Sequence, residues 1–137
     1  MRAAILILMF LVLVQPVLAG GPPQTQRDVE VRCVSTGPTF YDIISTRGTQ
    51  SGNSGEDNCQ ESVNKTARYK AKIGETIQIT YTWCTKTGWK YVHHSSGSFR
   101  YWACLGDRPS GSGSVIVTTG DDPIKISLRN HKLEIED

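Results

Sequence analysis

Short stretches of alternating apolar and polar residues, each closed by turn formers, recur along this chain and commit it to sheets. "DVEVRCV" alternates Val29, Val31 and Cys33, and "ETIQITYTWC" alternates Ile77, Ile79 and Tyr81. "SVIVTT", "IKISL" and "KLEIE" follow, each bounded by Gly, Asp, Pro or Asn, and "TFYDIIS" adds another short apolar run. A two-residue period sends successive side chains to opposite faces, so every such stretch has one face to bury and must pair to do so. "TRGTQSGNSG", Thr46 to Gly55, has the composition of a mobile loop. "EDNCQESVNKTARYKA", Glu56 to Ala71, is the one helix candidate: acidic residues begin it, basic residues end it, and Gly74 follows. The expected fold is mainly β, a β-sandwich or small barrel of about seven or eight strands with at most one short helix.

The N-terminus sets the compartment. Met1-Arg2 is a short positive start, Ala3 to Val14 is a continuous apolar run, Pro16 breaks it, and Val17-Leu18-Ala19 places compact residues where a signal peptidase cuts. A signal peptide over 1–19 is therefore expected, then a flexible leader over 20–28, then a single disulfide-stabilised β-rich domain over 29–137. The apolar run falls short of the roughly 20 residues that a bilayer span needs, so membrane insertion is not expected. Without the signal, the chain from Gly20 to Asp137 is long enough to bury on the order of 65% of its unfolded surface. Its charge is close to balance, since the 15 Lys and Arg, less Arg2, stand against 13 Asp and Glu. Bulk attraction to nucleic acid or to anionic membrane is not expected from such a balance.

The four Cys (Cys33, Cys59, Cys84, Cys104) all follow the signal, and an even count in an exported domain reads as two disulfides. No two of them are spaced like the short knuckles of zinc sites, so neither a metal nor a cofactor is expected. Asn64-Lys65-Thr66 is a glycosylation sequon, which implies an exposed Asn64.

One stretch, "YTWCTKTGWKYVHHSSGSFRYWACLG", Tyr81 to Gly106, holds all the Trp of the chain. "TKTGW" and "HSSGS" each place Gly third in a three-residue loop, where a left-handed residue is needed after a type I turn. That parse makes a three-stranded meander in which Trp83 opposes Tyr91, Tyr91 opposes Tyr101 and His94 opposes Ser98. Ile77, Ile79, Tyr81, Trp83, Trp89, Tyr91, His93, Phe99 and Tyr101 then share one face, which reads as core. Thr80, Thr82, Cys84, Lys90, Val92, His94, Arg100, Trp102 and Cys104 share the other. Trp102, opposite Lys90, beside Arg100 and near His94, is the candidate binding platform: an aromatic ring with cationic edges suits a glycan, an anionic group or a partner protein. The same meander sets Cys84 and Cys104 two strands apart, roughly 10 Å, too far for a disulfide. Two pairings remain, of which Cys33 with Cys104 and Cys59 with Cys84 is preferred, because it ties the N-terminal strand to the last arm and closes the shorter second loop.

His93 and His94 are consecutive, so on a strand they face opposite ways and cannot chelate one metal together. The order of strand, helix, then a sheet bearing His, Arg and a late His resembles the secreted fungal ribonucleases of the guanyl-specific type. That resemblance implies general acid and base roles for His93, Arg100 and His131. The family also uses a Glu, and the matching strand "FRYWAC" has no carboxylate. No Gly-x-Ser-x-Gly is present to suggest a serine hydrolase. Small size, a signal sequence, two expected disulfides and a β-rich body resemble, as a type, the small secreted effector proteins of plant-pathogenic fungi. This implies a secreted, non-enzymatic protein that binds a host or extracellular protein. A carbohydrate-binding module using Trp102 and His94, with a glycan as partner, is the alternative, and a ribonuclease-like enzyme is the third.

Overall fold

Alternation decides the layering. The computed structural model describes residues 21–37, 41–60 and 65–137; the expected signal sequence and Asn64 lie outside them. In β1 (Gln26–Val34) Arg27, Val29, Val31 and Cys33 turn inward and are buried, while Gln26, Asp28 and Arg32 face water. The same beat runs through β2 (Ile43–Gly48), β3 (Ser54–Asn58), β4 (Ala67–Lys72), β5 (Thr76–Thr82), β8 (Ser110–Ile116), β9 (Ile124–Arg129) and β10 (Lys132–Glu136). Two strands between them, β6 (Thr87–His94) and β7 (Gly97–Cys104), do not keep it.

The strands form one four-stranded sheet in the order β10-β9-β1-β4, a second in the order β3-β2-β5-β8, and a two-stranded ribbon of β6 and β7. The two larger sheets share one core, with Val29, Val31, Ile124, Ile126 and Leu128 meeting Ile44, Ile77 and Ile79, so the body is a β-sandwich. β1 and β9 are parallel neighbours, and the other pairs are antiparallel. In β8 the repeated Gly has a packing reason: Gly111 lies opposite Tyr81, and a Cβ there would sit 2.3 Å from the ring.

Four expectations need correction. No helix occurs among the described residues, and the Glu56–Ala71 segment contributes the end of β3 and most of β4. The charge cue lost to the two-residue period of "ARYKAK", which buries Ala71 and half-buries Tyr69 while Arg68, Lys70 and Lys72 face out. The leader ends sooner than expected, because β1 begins at Gln26 and Arg27 is an anchor. Its buried guanidinium donates to the carbonyls of Asp122 (2.8 Å) and Thr118 (3.2 Å) and pairs with the Asp137 carboxylate.

The segment Thr46 to Gly55, expected as a mobile loop, is a hairpin tied to a buried carboxylate. Thr46 to Gly48 belong to β2 and Ser54 and Gly55 to β3, and the turn between them wraps around Glu75. Glu75 is fully buried. Its carboxylate accepts the backbone N–H groups of Gln50 (3.0 Å), Ser51 (3.0 Å) and Lys72 (2.7 Å), and the Ser51 hydroxyl donates to it at 2.9 Å. Burial alone would raise its pKa, yet the donors at Ser51, Gln50 and Lys72 outweigh that and hold the group below its ordinary range. Gly48 is part of the fit, since a Cβ there would lie 2.7 Å from the carboxylate.

The disulfides are Cys33–Cys59 and Cys84–Cys104, the pairing that the meander argument had disfavoured. Cys33 points into the sandwich from β1 and meets Cys59 just past β3, so this bridge joins the two sheets at a Cα separation of 5.1 Å. No free cysteine remains. Peptide maps without reduction are expected to recover Cys33 linked to Cys59 and Cys84 linked to Cys104; a peptide joining Cys33 to Cys104 would contradict the fold.

Candidate functional site

The site candidate begins where β5 outruns the sandwich. β5 already has β2 on one side and β8 on the other, so no edge is left for β6, and the turn expected at "TKTGW" does not form. Instead the chain runs straight on. The β5 and β8 pairing ends at Thr82 opposite Ser110, and Trp83 N–H to Pro109 C=O (3.1 Å) and Thr85 N–H to Asp107 C=O (3.0 Å) carry it further. Then the N–H groups of Leu105 and Gly106 both donate to Lys86 C=O, at 2.8 and 3.1 Å, which is a β-bulge. Beyond it β6 and β7 pair from Thr87 opposite Cys104 to His94 opposite Gly97. Residues 76–116 are thus one long hairpin whose lower half is sandwich and whose upper half leaves it.

The bulge also explains the second disulfide. Cys104 pairs with Thr87, three positions beyond Cys84, and a straight ladder would set the two Cys about 10 Å apart along the strand. Their Cα atoms are 5.9 Å apart, so the hairpin bends at the bulge and the bridge holds the bend. Tyr41 braces the base, its hydroxyl donating to Trp102 C=O at 2.6 Å, and Arg108 lies 5.0 Å over the Tyr41 ring.

At the tip only Ser95 and Ser96 lie between the paired His94 and Gly97. This is one residue tighter than expected, and a one-residue slip turns every β7 side chain to the other face. One face therefore carries Trp89, Tyr91 and His93 with Trp102, Arg100 and Ser98; the other carries Lys90, Val92 and His94 with Tyr101 and Phe99. Of the candidate platform, Trp102 and Arg100 come together, whereas Lys90 and His94 fall on the opposite face. On the first face Trp89 meets Trp102 edge-on at 5.2 Å, Arg100 lies 4.4 Å over the Trp89 ring, and His93 Nδ1 is 2.8 Å from Ser98 Oγ. On the second, His94 stacks with Phe99 at 5.5 Å.

The aromatic face expected to be core is mostly outside. Tyr91 is 63% exposed, Phe99 53%, Trp89 45% and Tyr101 42%, while Trp102, the candidate platform, is half-buried. The cause is topological: β6 and β7 pack substantially only on each other, so no second sheet covers either face. Tyr81 and Trp83, still at the sandwich end, are half-buried and stack at 5.8 Å. Trp89 and Tyr91, missed as site residues, carried a sequence signal in the charge: no Asp or Glu lies between Glu75 and Asp107, whereas Lys86, Lys90, His93, His94 and Arg100 do. A ribbon without carboxylates repels other cations and has its own left over for an anion.

The ribonuclease-like trio is not assembled. His131 sits in the tight turn between β9 and β10, where Asn130 and His131 have φ of 49° and 68°. Its ring stacks 5.9 Å from Trp83 and its Nδ1 is 2.8 Å from Oδ2 of the fully buried Asp42. Burial pushes the Asp42 carboxyl up, and His131 and the Ser35 hydroxyl, which donates at 3.3 Å, pull against it. This cluster clamps the turn onto the end of the sandwich. His93 is instead near the ribbon tip, six residues or about 20 Å along β6 from Thr87, with Ser98 as its partner. Arg100 lies over the Trp89 ring on the ribbon.

No family model matches the chain, and neither curated proteins nor solved structures give a significant match. Among the described residues no helix is long and apolar enough to cross a membrane, and no three His, Cys, Asp or Glu converge as a metal site.

Proposed function

We propose that this chain is a secreted, non-enzymatic binding protein whose contact element is the β6–β7 ribbon. The observation that carries this reading is the exposure of Trp89, Tyr91, Phe99 and Tyr101 on an element that packs substantially only on itself. Large rings left in water cost about 1.5–3 kcal/mol each relative to burial, and clustered exposed rings on an element without a second layer mark an interaction site. Two disulfides support work in an oxidising extracellular medium. Together with the type-level resemblance to small fungal effectors, this supports a target in a host's extracellular space.

The test separates folding from binding. Tyr91→Ser with Phe99→Ser should change stability by less than about 1 kcal/mol, because both rings are exposed. The same variant should lose retention on immobilised plant cell-wall and apoplastic extract. Retention equal to wild type, or a melting loss as large as that of a core variant, would overturn the reading.

A further inference from the structure

We infer that the Trp89 face of the ribbon binds an acidic polysaccharide, with Trp89 and Tyr91 stacking on sugar C–H faces and Arg100 pairing with sugar carboxylates. This rests on the ribbon being the contact element. Shape comes first. A two-stranded face is only about 5 Å between strands but about 25 Å long over the eight residues of β6, the outline of a linear polymer rather than of a rounded patch. A protein hot spot needs a ring of neighbours to exclude water, which so narrow an element does not supply.

Composition comes next. Along this face rings and hydrogen-bonding groups lie side by side: Trp89, Tyr91 and His93 on β6, with Trp102, Arg100 and Ser98 across from them. A sugar has the matching surfaces, an apolar face of C–H groups and a rim of hydroxyls. Trp and Tyr pair an apolar ring with a polar handle and suit such a surface better than Phe, and the Phe of this ribbon is on the other face.

Charge then selects among sugars. Arg100 makes no ion pair among the described residues, and its guanidinium lies 4.4 Å over the Trp89 ring. A stacked guanidinium keeps donors free for a carboxylate. Trp102, half-buried and fixed through its backbone by Tyr41, holds Trp89 from the side, so little side-chain freedom is left to lose on binding. The occupant is an acidic polysaccharide that brings a carboxylate to Arg100 and sugar faces to the rings. A lipid headgroup layer fits less well, because the tip that would enter it first is His94, Ser95, Ser96 and Gly97 rather than an apolar wedge. A single strand of nucleic acid is the competing linear polyanion, and polyuridylate is its probe.

The experiment is titration calorimetry of the full protein, disulfides intact, with oligogalacturonate, its fully methyl-esterified form and a neutral β-glucan oligomer of equal length. Oligogalacturonate should bind, and the methyl ester and the neutral oligomer should bind about tenfold or more weakly, the loss of roughly one charge-assisted contact. Arg100→Gln and Tyr91→Ala should each weaken oligogalacturonate about tenfold, and Lys90→Gln, on the opposite face, less than about threefold. Added salt should weaken the acidic ligand alone. Equal affinity for the acid and its ester, no effect of Arg100→Gln, or tighter binding to polyuridylate or to phosphatidylserine vesicles would overturn the proposal. If oligogalacturonate does not bind while retention on plant extract still depends on Tyr91 and Phe99, the glycan assignment fails and the ribbon reading stands. If retention ignores the ribbon, both fail.

Discussion

Replacing Glu75 by Gln is expected to cost about 3 kcal/mol of stability, a melting drop on the order of 10 °C. The carboxylate uses both oxygens: one takes Lys72 N–H and the Ser51 hydroxyl, and the other takes the N–H groups of Gln50 and Ser51. An amide has one acceptor oxygen, so in either orientation its NH₂ confronts a buried donor. The turn over residues 49–53 loses its centre, and with it the link between the β2–β3 hairpin and the start of β5.

The same group gives a pH signature whose sign is fixed. Because the folded pKa lies below the ordinary 4.5, the contribution of Glu75 is complete above that value and is lost as pH falls through the folded one. Asp42 works the other way. Its folded pKa is raised above 3.8, so the native state holds the proton more tightly and gains stability as pH falls through that window. The net acid slope of the wild type mixes the two, but the difference between wild type and Glu75→Gln isolates the first. Urea melts at pH 7 and pH 3 should show that difference narrowing; a gap of constant size would mean that the carboxylate charge is not what holds the turn.

Ile126→Ala should cost about 3–4 kcal/mol, with the urea slope unchanged. Ile126 is fully buried on β9, between Val31 of β1 and Ile135 of β10, and nothing at the centre of a sandwich moves easily to fill its place. Ile135 belongs to the same row yet is 38% exposed on the edge strand, so Ile135→Ala should cost under about 1 kcal/mol. Comparable losses at the two positions would mean that β10 is covered in solution by something beyond this chain.

The sandwich was legible because each of its strands buries one face, and a period of two states that directly: Val29, Val31, Ile77, Ile79, Ile126 and Leu128 are core where alternation puts them. The ribbon misled for the same reason. A patterned aromatic strand looks alike whether a second sheet covers it or not, and only the use of both edges of β5 by β2 and β8 excludes β6 from the sheet. The disulfide error followed from that misplacement and from the unforeseen bulge: Cys84 and Cys104 are two strands apart if β5 and β6 are neighbours, whereas on the bent hairpin their Cα atoms are 5.9 Å apart. Glu75 and Asp42 gave little local sign, because the Gln50 and Ser51 donors and the His131 imidazole that answer them come from distant parts of the chain.

Thr85 and Asp107 are joined by a single backbone hydrogen bond, and the bridge between Cys84 and Cys104 closes the excursion just beside it. Both ends of the ribbon therefore leave the body from one spot. Sequence between them can lengthen, shorten or change its rings without asking any sandwich strand to shift register, as with a tool head changed on a fixed handle. Selection on the contact surface and selection on folding then act on different residues, so relatives of this protein should keep Ile77, Ile126, Glu75 and the Cys84–Cys104 bridge while the stretch from Thr87 to Tyr101 drifts fastest.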